Sequence, residues 1–279
     1  MTKIFRLILL LKKSIGEARW NNRYPAWEDK VEVFKILFRL RYLTEIATRT
    51  NESPTQKIFG FVVKGSSYGE ILYLFREIFL EGQYEFKYQG DAPSILDCGA
   101  NIGMAILFFK RMYPNCKVLA FEPNPAVYEL LQQNINGNQL KNIKALNVGL
   151  SAQEGIMDFF IDRRNSLVSS IHSNRGKSEL VQVKTTKLST HLNDTQYDFA
   201  KIDIEGAEYE LVKDLHENGK LGKINQYIFE YHHNVKDAHF HLSDFLIPFE
   251  RSGFISNLKT SYQNQGDFQD VAIHFSKNK

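Results

Sequence analysis

The chain has 279 residues, enough for one large domain or a domain with an added lobe. A hydrophobic share of 43% supports an ordinary buried core, and a net charge of +3 is too small to point to nucleic acid. Two cysteines, Cys98 and Cys116, with no paired Cys/His spacing argue against a disulfide framework or a zinc site and favour a reducing, cytoplasmic compartment.

The N-terminus, MTKIFRLILLLKKS, carries a short apolar run from Leu7 to Leu11 between Arg6 and Lys12. That run is too short to span a bilayer and has no small-residue cleavage site. Lys3, Arg6, Lys12 and Lys13 suit peripheral docking of an amphipathic helix on a membrane surface. Packing on the main domain or on a partner is the other reading. Residues 31–43 (VEVFKILFRLRYL) read as a helix dense in apolar side chains, and residues 51–54 (NESP) break it. Residues 58–63 (IFGFVV) read as a strand, and 68–80 (YGEILYLFREIFL) as a helix. The expected division is an N-terminal, mainly helical extension over 1–57 and a main domain over 58–279.

After residue 91 strand and helix signals alternate. Strands are expected at 94–98, 117–121, 143–147, 198–203 and 226–231, with helices at 102–112, 125–135, 208–215 and 239–251. Residues 155–161 and 180–185 read as antiparallel pieces, and 253–258 with 270–275 as a closing pair. Repeated strand–helix units imply an α/β fold with a doubly wound, mostly parallel sheet. Ligands in such sheets bind beyond the carboxyl ends of the strands. Asp97, Glu122, Asn147, Asp203 and Glu230 lie at those ends.

The first motif is ILDCGANIG, residues 95–103. Gly99 and Gly103 let the backbone approach a ligand, and Asn101 can bond to it or cap the following helix. Asp97 stands two residues before the first glycine, and the third glycine of a dinucleotide fingerprint is missing. An acid there repels a pyrophosphate and suits a cationic ligand. In the second motif, FEPNP, Glu122 stands 23 residues after Gly99, where an acid holds a ribose diol. The third, KIDIEGAE, places Lys201, Asp203 and Glu205 at spacing two on a strand that should be apolar.

Together DCGANIG, FEPNP and KIDIEGAE resemble the FkbM-type, S-adenosylmethionine-dependent methyltransferases, over roughly residues 61–275. The resemblance implies a class I methyltransferase, Rossmann-like sheet of seven strands with one antiparallel. It implies methyl transfer to a hydroxyl of a sugar, glycan or other small natural product. It also implies that the Asp97–Gly103 turn (Asp97, Gly99, Ala100, Asn101, Gly103) holds the methionine moiety, and Glu122 with Pro123 the ribose. One departure is Lys187-Leu188-Ser189, where the family often has Thr-Leu-Asp.

The donor's cationic parts suit nearby acids: Asp97 can serve its ammonium, directly or through water. Asn147 and Val148 end a strand where an adenine edge would lie. Lys201, Asp203, Glu205 and His232 are the candidates for the chemistry, with Asp203 also facing the donor. A carboxylate or a desolvated lysine there can take a hydroxyl proton. Glu230, His232 and His233 can reach the same cleft, and a divalent metal is conceivable but is not supported by the spacing. Arg163, Arg164, Ser166, Ser169 and Ser170 form a polar stretch that either covers the acceptor site or is a solvated loop. The rivals are an NAD(P)-dependent oxidoreductase, disfavoured by Asp97 and the missing glycine, and a non-catalytic Rossmann-like binding protein.

Overall fold

Strands buried on both faces must lie inside a sheet, and SILDC and FAKI do. The computed structural model describes residues 3–47, 54–161, 179–233, 241–260 and 269–277. β3 (Ser94–Cys98) is paired in parallel with β4 (Lys117–Phe121) on one side and β9 (Phe199–Ile202) on the other. β5 (Ile143–Leu146) continues the sheet beyond β4, and β10 (Gln226–His233) beyond β9, both in parallel. β12 (Gln269–Lys277) runs antiparallel to both β10 and the edge strand β11 (Phe254–Thr260). The order is β11-β12-β10-β9-β3-β4-β5. This is the class I methyltransferase arrangement, with β12 as its antiparallel strand. The chain changes direction across the sheet between β3 and β9, which makes their carboxyl ends the switch point for a ligand.

Helices α4 (Met104–Met112), α5 (Pro125–Gly137), α7 (Glu208–Glu217) and α8 (Leu242–Arg251) accompany the sheet. Aromatic side chains fill the layers between them. Phe86 stacks on Phe199 at 4.2 Å, and Phe249 on Phe275 at 3.8 Å. A three-stranded sheet of β6 (Gly149–Leu150), β8 (Glu179–Thr186) and β7 (Gly155–Ile161) stands beside the site, and the short α6 (Leu188–Leu192) follows it. The antiparallel pairing expected of 155–161 and 180–185 is present, while the strand at 149–150 has no signal of its own.

The N-terminal part forms α1 (Lys3–Trp20) and α2 (Trp27–Glu45). Val33, Ile36, Leu37 and Leu40 of α2 are buried in the same cluster as Ile71, Phe75 and Phe108. Arg41 donates to Ser14 Oγ at 3.0 Å and pairs with Glu17, which also pairs with Arg76 at 2.6 Å. Among the described residues no helix is long and apolar enough to cross a membrane.

Two local expectations are corrected. Residues 58–63 do not form one strand: β1 (Thr55–Ile58) and β2 (Phe61–Lys64) make a hairpin, with Phe59 at φ 45° and Gly60 at φ 92° in its turn. A two-residue turn with positive φ at both positions matches the twist of a hairpin. Its signal was hidden because Phe59 is buried against Tyr24, 4.9 Å away, and so reads as a strand residue. The helix expected over 68–80 is α3 only for Tyr68–Leu74, and continues as a π-helical turn over Phe75–Leu80. Glu81 N–H accordingly donates five residues back, to Arg76 O.

Candidate active site

The turn after β3 is fixed by what surrounds it. Gly99 and Ala100 N–H both donate to Phe121 O, at 3.0 and 2.9 Å. Asn101 N–H donates to one oxygen of Glu122 and Asn124 N–H to the other, each at 2.9 Å. Gly99 adopts φ 83°, and a Cβ there would stand 1.8 Å from the backbone oxygen of Asp203. Only glycine lets the two strand ends come so close.

One cavity opens between this turn and the small sheet and is partly open to solvent. Phe121, Val127, Val148, Leu150, Phe159 and Val183 give it apolar walls. Glu122, Pro123, Gly99 and Asn101 line its polar side, and Asp203 and Glu205 close one end. Burial pushes the Glu122 carboxyl up to about 7, although the two backbone donors pull the other way. Asn147 turns its amide to the carbonyls of Glu122 and Pro123, at 2.9 and 3.1 Å, so it ties the ends of β4 and β5 together.

A second cavity lies on the other side of the turn. Tyr73, Glu77, Tyr84, Lys201, Glu230 and His232 line it. The two cavities share Gly99, Asn101, Asp203 and Glu205. Sequence reading had no reason to pick Tyr73, Glu77 and Tyr84. At helical spacing, Tyr73 and Glu77 look like any helix face, yet the Tyr73 hydroxyl donates to Glu77 at 2.9 Å beside the cleft. Burial, with a smaller contribution from Asp203, raises Glu77 to about 7 despite that bond. Tyr84 and Gln83 both donate to Glu230, and burial together with Asp203 and Glu77 holds Glu230 well above the usual carboxylate range.

The charges in KIDIEGAE now have places. Lys201 Nζ is buried, 3.6 Å from Asp97 Oδ1 and 3.4 Å from Asp203 Oδ2, and donates to Gly99 O. Burial alone would lower its pKa, but Asp203 and Asp97 outweigh burial and hold it above its ordinary value. The lysine is a fixed cation. Asp97 is fully buried one layer behind both cavities, with its carboxyl raised by burial and pulled back by Lys201. Among the described residues neither of its oxygens has a hydrogen-bond donor, and Lys201 is its charge partner.

Glu208, at the start of α7, accepts from Ile204 N–H at 3.2 Å and Gly206 N–H at 3.1 Å. These bonds hold the loop in which Glu205 takes φ 56°. Glu208 also bonds His232 Nδ1 at 2.9 Å, and His232 Nε2 lies 3.4 Å from Glu205. Burial opposes the charge on His232, but Glu208, Glu205 and Asp203 win and lift it to about 10. Ligand atoms of Asp203, Glu205 and His232 lie within 4.8 Å of one another, a spacing open to a divalent cation. Arg163, Arg164, Ser166, Ser169 and Ser170 lie outside the described residues, as do the side chain of His233 and residues 239–240 of the helix expected over 239–251.

Comparison with known proteins follows the same lines. Residues 97–256 match the methyltransferase FkbM domain. Methyltransferase sdnD of Sordaria araneosa is 32% identical over 181 residues, covering 53% of this chain and 70% of that protein. The 31-O-demethyl-FK506 methyltransferase FkbM of Streptomyces tacrolimicus is 39% identical over 80 residues, 27% of this chain and 30% of that protein. Among solved structures, methyltransferase FkbM from Methylobacillus flagellatus KT is similar with a TM-score of 0.48 and 14% identity, over 98% of this chain and 59% of that one.

Proposed function

The chain belongs to the FkbM methyltransferase family, which is S-adenosylmethionine-dependent, and on that premise we propose that it methylates a hydroxyl of a small molecule such as a sugar or natural product. The observation that carries this reading is the wall shared by two cavities, formed by Gly99, Asn101, Asp203 and Glu205. One side suits a nucleoside: apolar walls for a base and Glu122 for a ribose diol. The other side is polar, with Tyr73, Tyr84, Glu77 and Glu230 offering partners to a hydroxylated acceptor.

When bound, S-adenosylmethionine supplies an electrophilic methyl group on a sulfonium. Glu122 would accept the ribose hydroxyls. Asp203, on the shared wall, takes the proton of the acceptor hydroxyl as that oxygen becomes the nucleophile. Lys201 Nζ, 3.4 Å from Asp203 Oδ2, fixes the direction of that carboxylate. His232 holds Glu205, and Glu208 holds the loop. Acceptance by Lys201 itself is disfavoured, because its two carboxylate neighbours keep it protonated.

The test is calorimetric titration with S-adenosylmethionine, its demethylated product and a nicotinamide nucleotide, followed by methyl transfer to a panel of hydroxylated acceptors. The reading expects both adenosyl compounds to bind and the nicotinamide nucleotide not to. Binding of the nicotinamide nucleotide alone would overturn it.

A further inference from the structure

Helix α1 is fastened on one side and bare on another. Leu10, Ser14 and Ala18 are buried, and Ser14 and Glu17 are tied to Arg41. Ile4, Ile8, Leu11 and Ile15 recur at alternating steps of four and three residues and therefore form one stripe. They are 73%, 45%, 38% and 47% exposed. At the helical rise the stripe is about 16 Å long. Trp20 at the end of α1 and Trp27 at the start of α2 are 76% and 75% exposed.

The exposed basic residues of α1 divide by helical position: Lys12 and Arg19 border this stripe, and Arg6 and Lys13 lie on the opposite side of the helix. Arg6, Lys12, Lys13 and Arg19 are exposed on α1. The helix has a single acid, Glu17, and that acid is engaged by Arg41 and Arg76. Arg6, Lys12 and Lys13 have no acidic partner among the described residues. Arg19 lies over the Trp20 ring at 5.4 Å.

We propose that α1 docks on an anionic lipid surface, with Ile4, Ile8, Leu11 and Ile15 entering the acyl boundary and Lys12 and Arg19 meeting the headgroups. An apolar stripe flanked by unpaired basic residues is the pattern of an interfacial helix. Exposed tryptophans belong at the headgroup level, where one side of the ring is wet. A second copy of this chain fits less well. A two-fold contact brings identical patches together, so it would stack the like charges of the two α1 helices, whose single acid, Glu17, is already engaged. Anionic lipid neutralises the same charges. The helix is already folded and held by Glu17, so binding carries little ordering cost.

The full chain should be sedimented with vesicles of phosphatidylcholine containing about one-third phosphatidylglycerol, and with vesicles of phosphatidylcholine alone. The expected result is binding to the first and little to the second, weakening as salt is raised. Ile8→Asp with Leu11→Asp should lower the bound fraction about tenfold, since it removes apolar insertion and adds repulsion. Lys12→Glu with Arg19→Glu should abolish the preference for anionic vesicles. All four side chains are exposed, so melting temperature and adenosyl-compound binding should match the parent. Parental binding by the Ile8→Asp/Leu11→Asp protein overturns the proposal, and so does failure of the parent to bind either vesicle. A parent that is dimeric by light scattering, and monomeric once Ile8 is Asp, assigns the stripe to a second copy and overturns it equally.

Discussion

The backbone oxygen of Asp203 occupies the space that a Cβ on residue 99 would need, 1.8 Å from its ideal position. Gly99 and Asp203 stand on neighbouring strand ends, β3 and β9, so the contact sets how closely both cavities approach each other. Gly99→Ala should force the ends apart and strain a φ of 83°. The expected cost is about 1–3 kcal/mol of stability, with weakened binding of adenosyl compounds. Thermal unfolding and calorimetry check it. An alanine protein that melts and binds like the parent would show that Asp203 can yield.

Glu122 faces the apolar cavity and organises its rim through Asn101 and Asn124. Glu122→Ala should weaken adenosyl-compound binding by about 1–3 kcal/mol, the scale of hydrogen bonds to a charged group. Unchanged affinity in a folded protein would remove it from the ribose site.

Asp203→Asn keeps size and most hydrogen bonding but removes the negative charge. Methyl transfer should fall about 10²–10⁴-fold if Asp203 takes the proton. Lys201→Met should also lower the rate, and it should lower stability too, because it leaves Asp97 buried and unpaired. Parental turnover of Asp203→Asn, coupled to easier unfolding, would make this cluster structural only.

His232 predicts a pH dependence of stability. Its folded pKa is raised to about 10 by Glu208, Glu205 and Asp203 against the opposing effect of burial. An unfolded histidine titrates near about 6.5. A raised pKa stabilises fully below the unfolded value and is lost as pH rises through the folded one. Stability should therefore decline from about pH 6.5 towards pH 10, by at most about 1.4 kcal/mol per pH unit from this group. Urea unfolding across that range should show a shallower slope in His232→Gln. Equal slopes in both proteins would mean that His232 is neutral when folded.

Much of this was legible because parallel strands announce themselves. SILDC, KVLAF and FAKI are short apolar runs, and each ends near an acid or a glycine that marks the ligand side. The acids Glu122, Asp203 and Glu205 do meet at the cavities, as their strand-end positions imply. Other features leave no period to read. A π-helical turn shifts the hydrogen bond by one residue without changing the apolar density of FREIFL. The cavity face of Tyr73 and Glu77 depends on how that helix lies against β3 and β10, which no local pattern encodes. Glu208 stands in the first turn of a helix, and only its bonds to Ile204, Gly206 and His232 reveal the loop it holds. Asn147 carries a side chain suited to a base edge, and its amide nitrogen donates to two carbonyls that join β4 to β5, a role no local pattern announces.

The bond from Lys201 Nζ to Gly99 O joins residues 102 positions apart. Neither half of the site can be built from a local segment. Closing a loop of that length carries an entropic penalty of roughly 4 kcal/mol before any contact repays it. The crossover through β5 to β8 must therefore return the chain to β3 before either cavity exists, which places assembly of the site late in folding. A nascent chain that lacks β9 has half of each wall. Adenosyl compounds should thus bind only the finished sheet, and by mass action they should stabilise it selectively over every partly folded form.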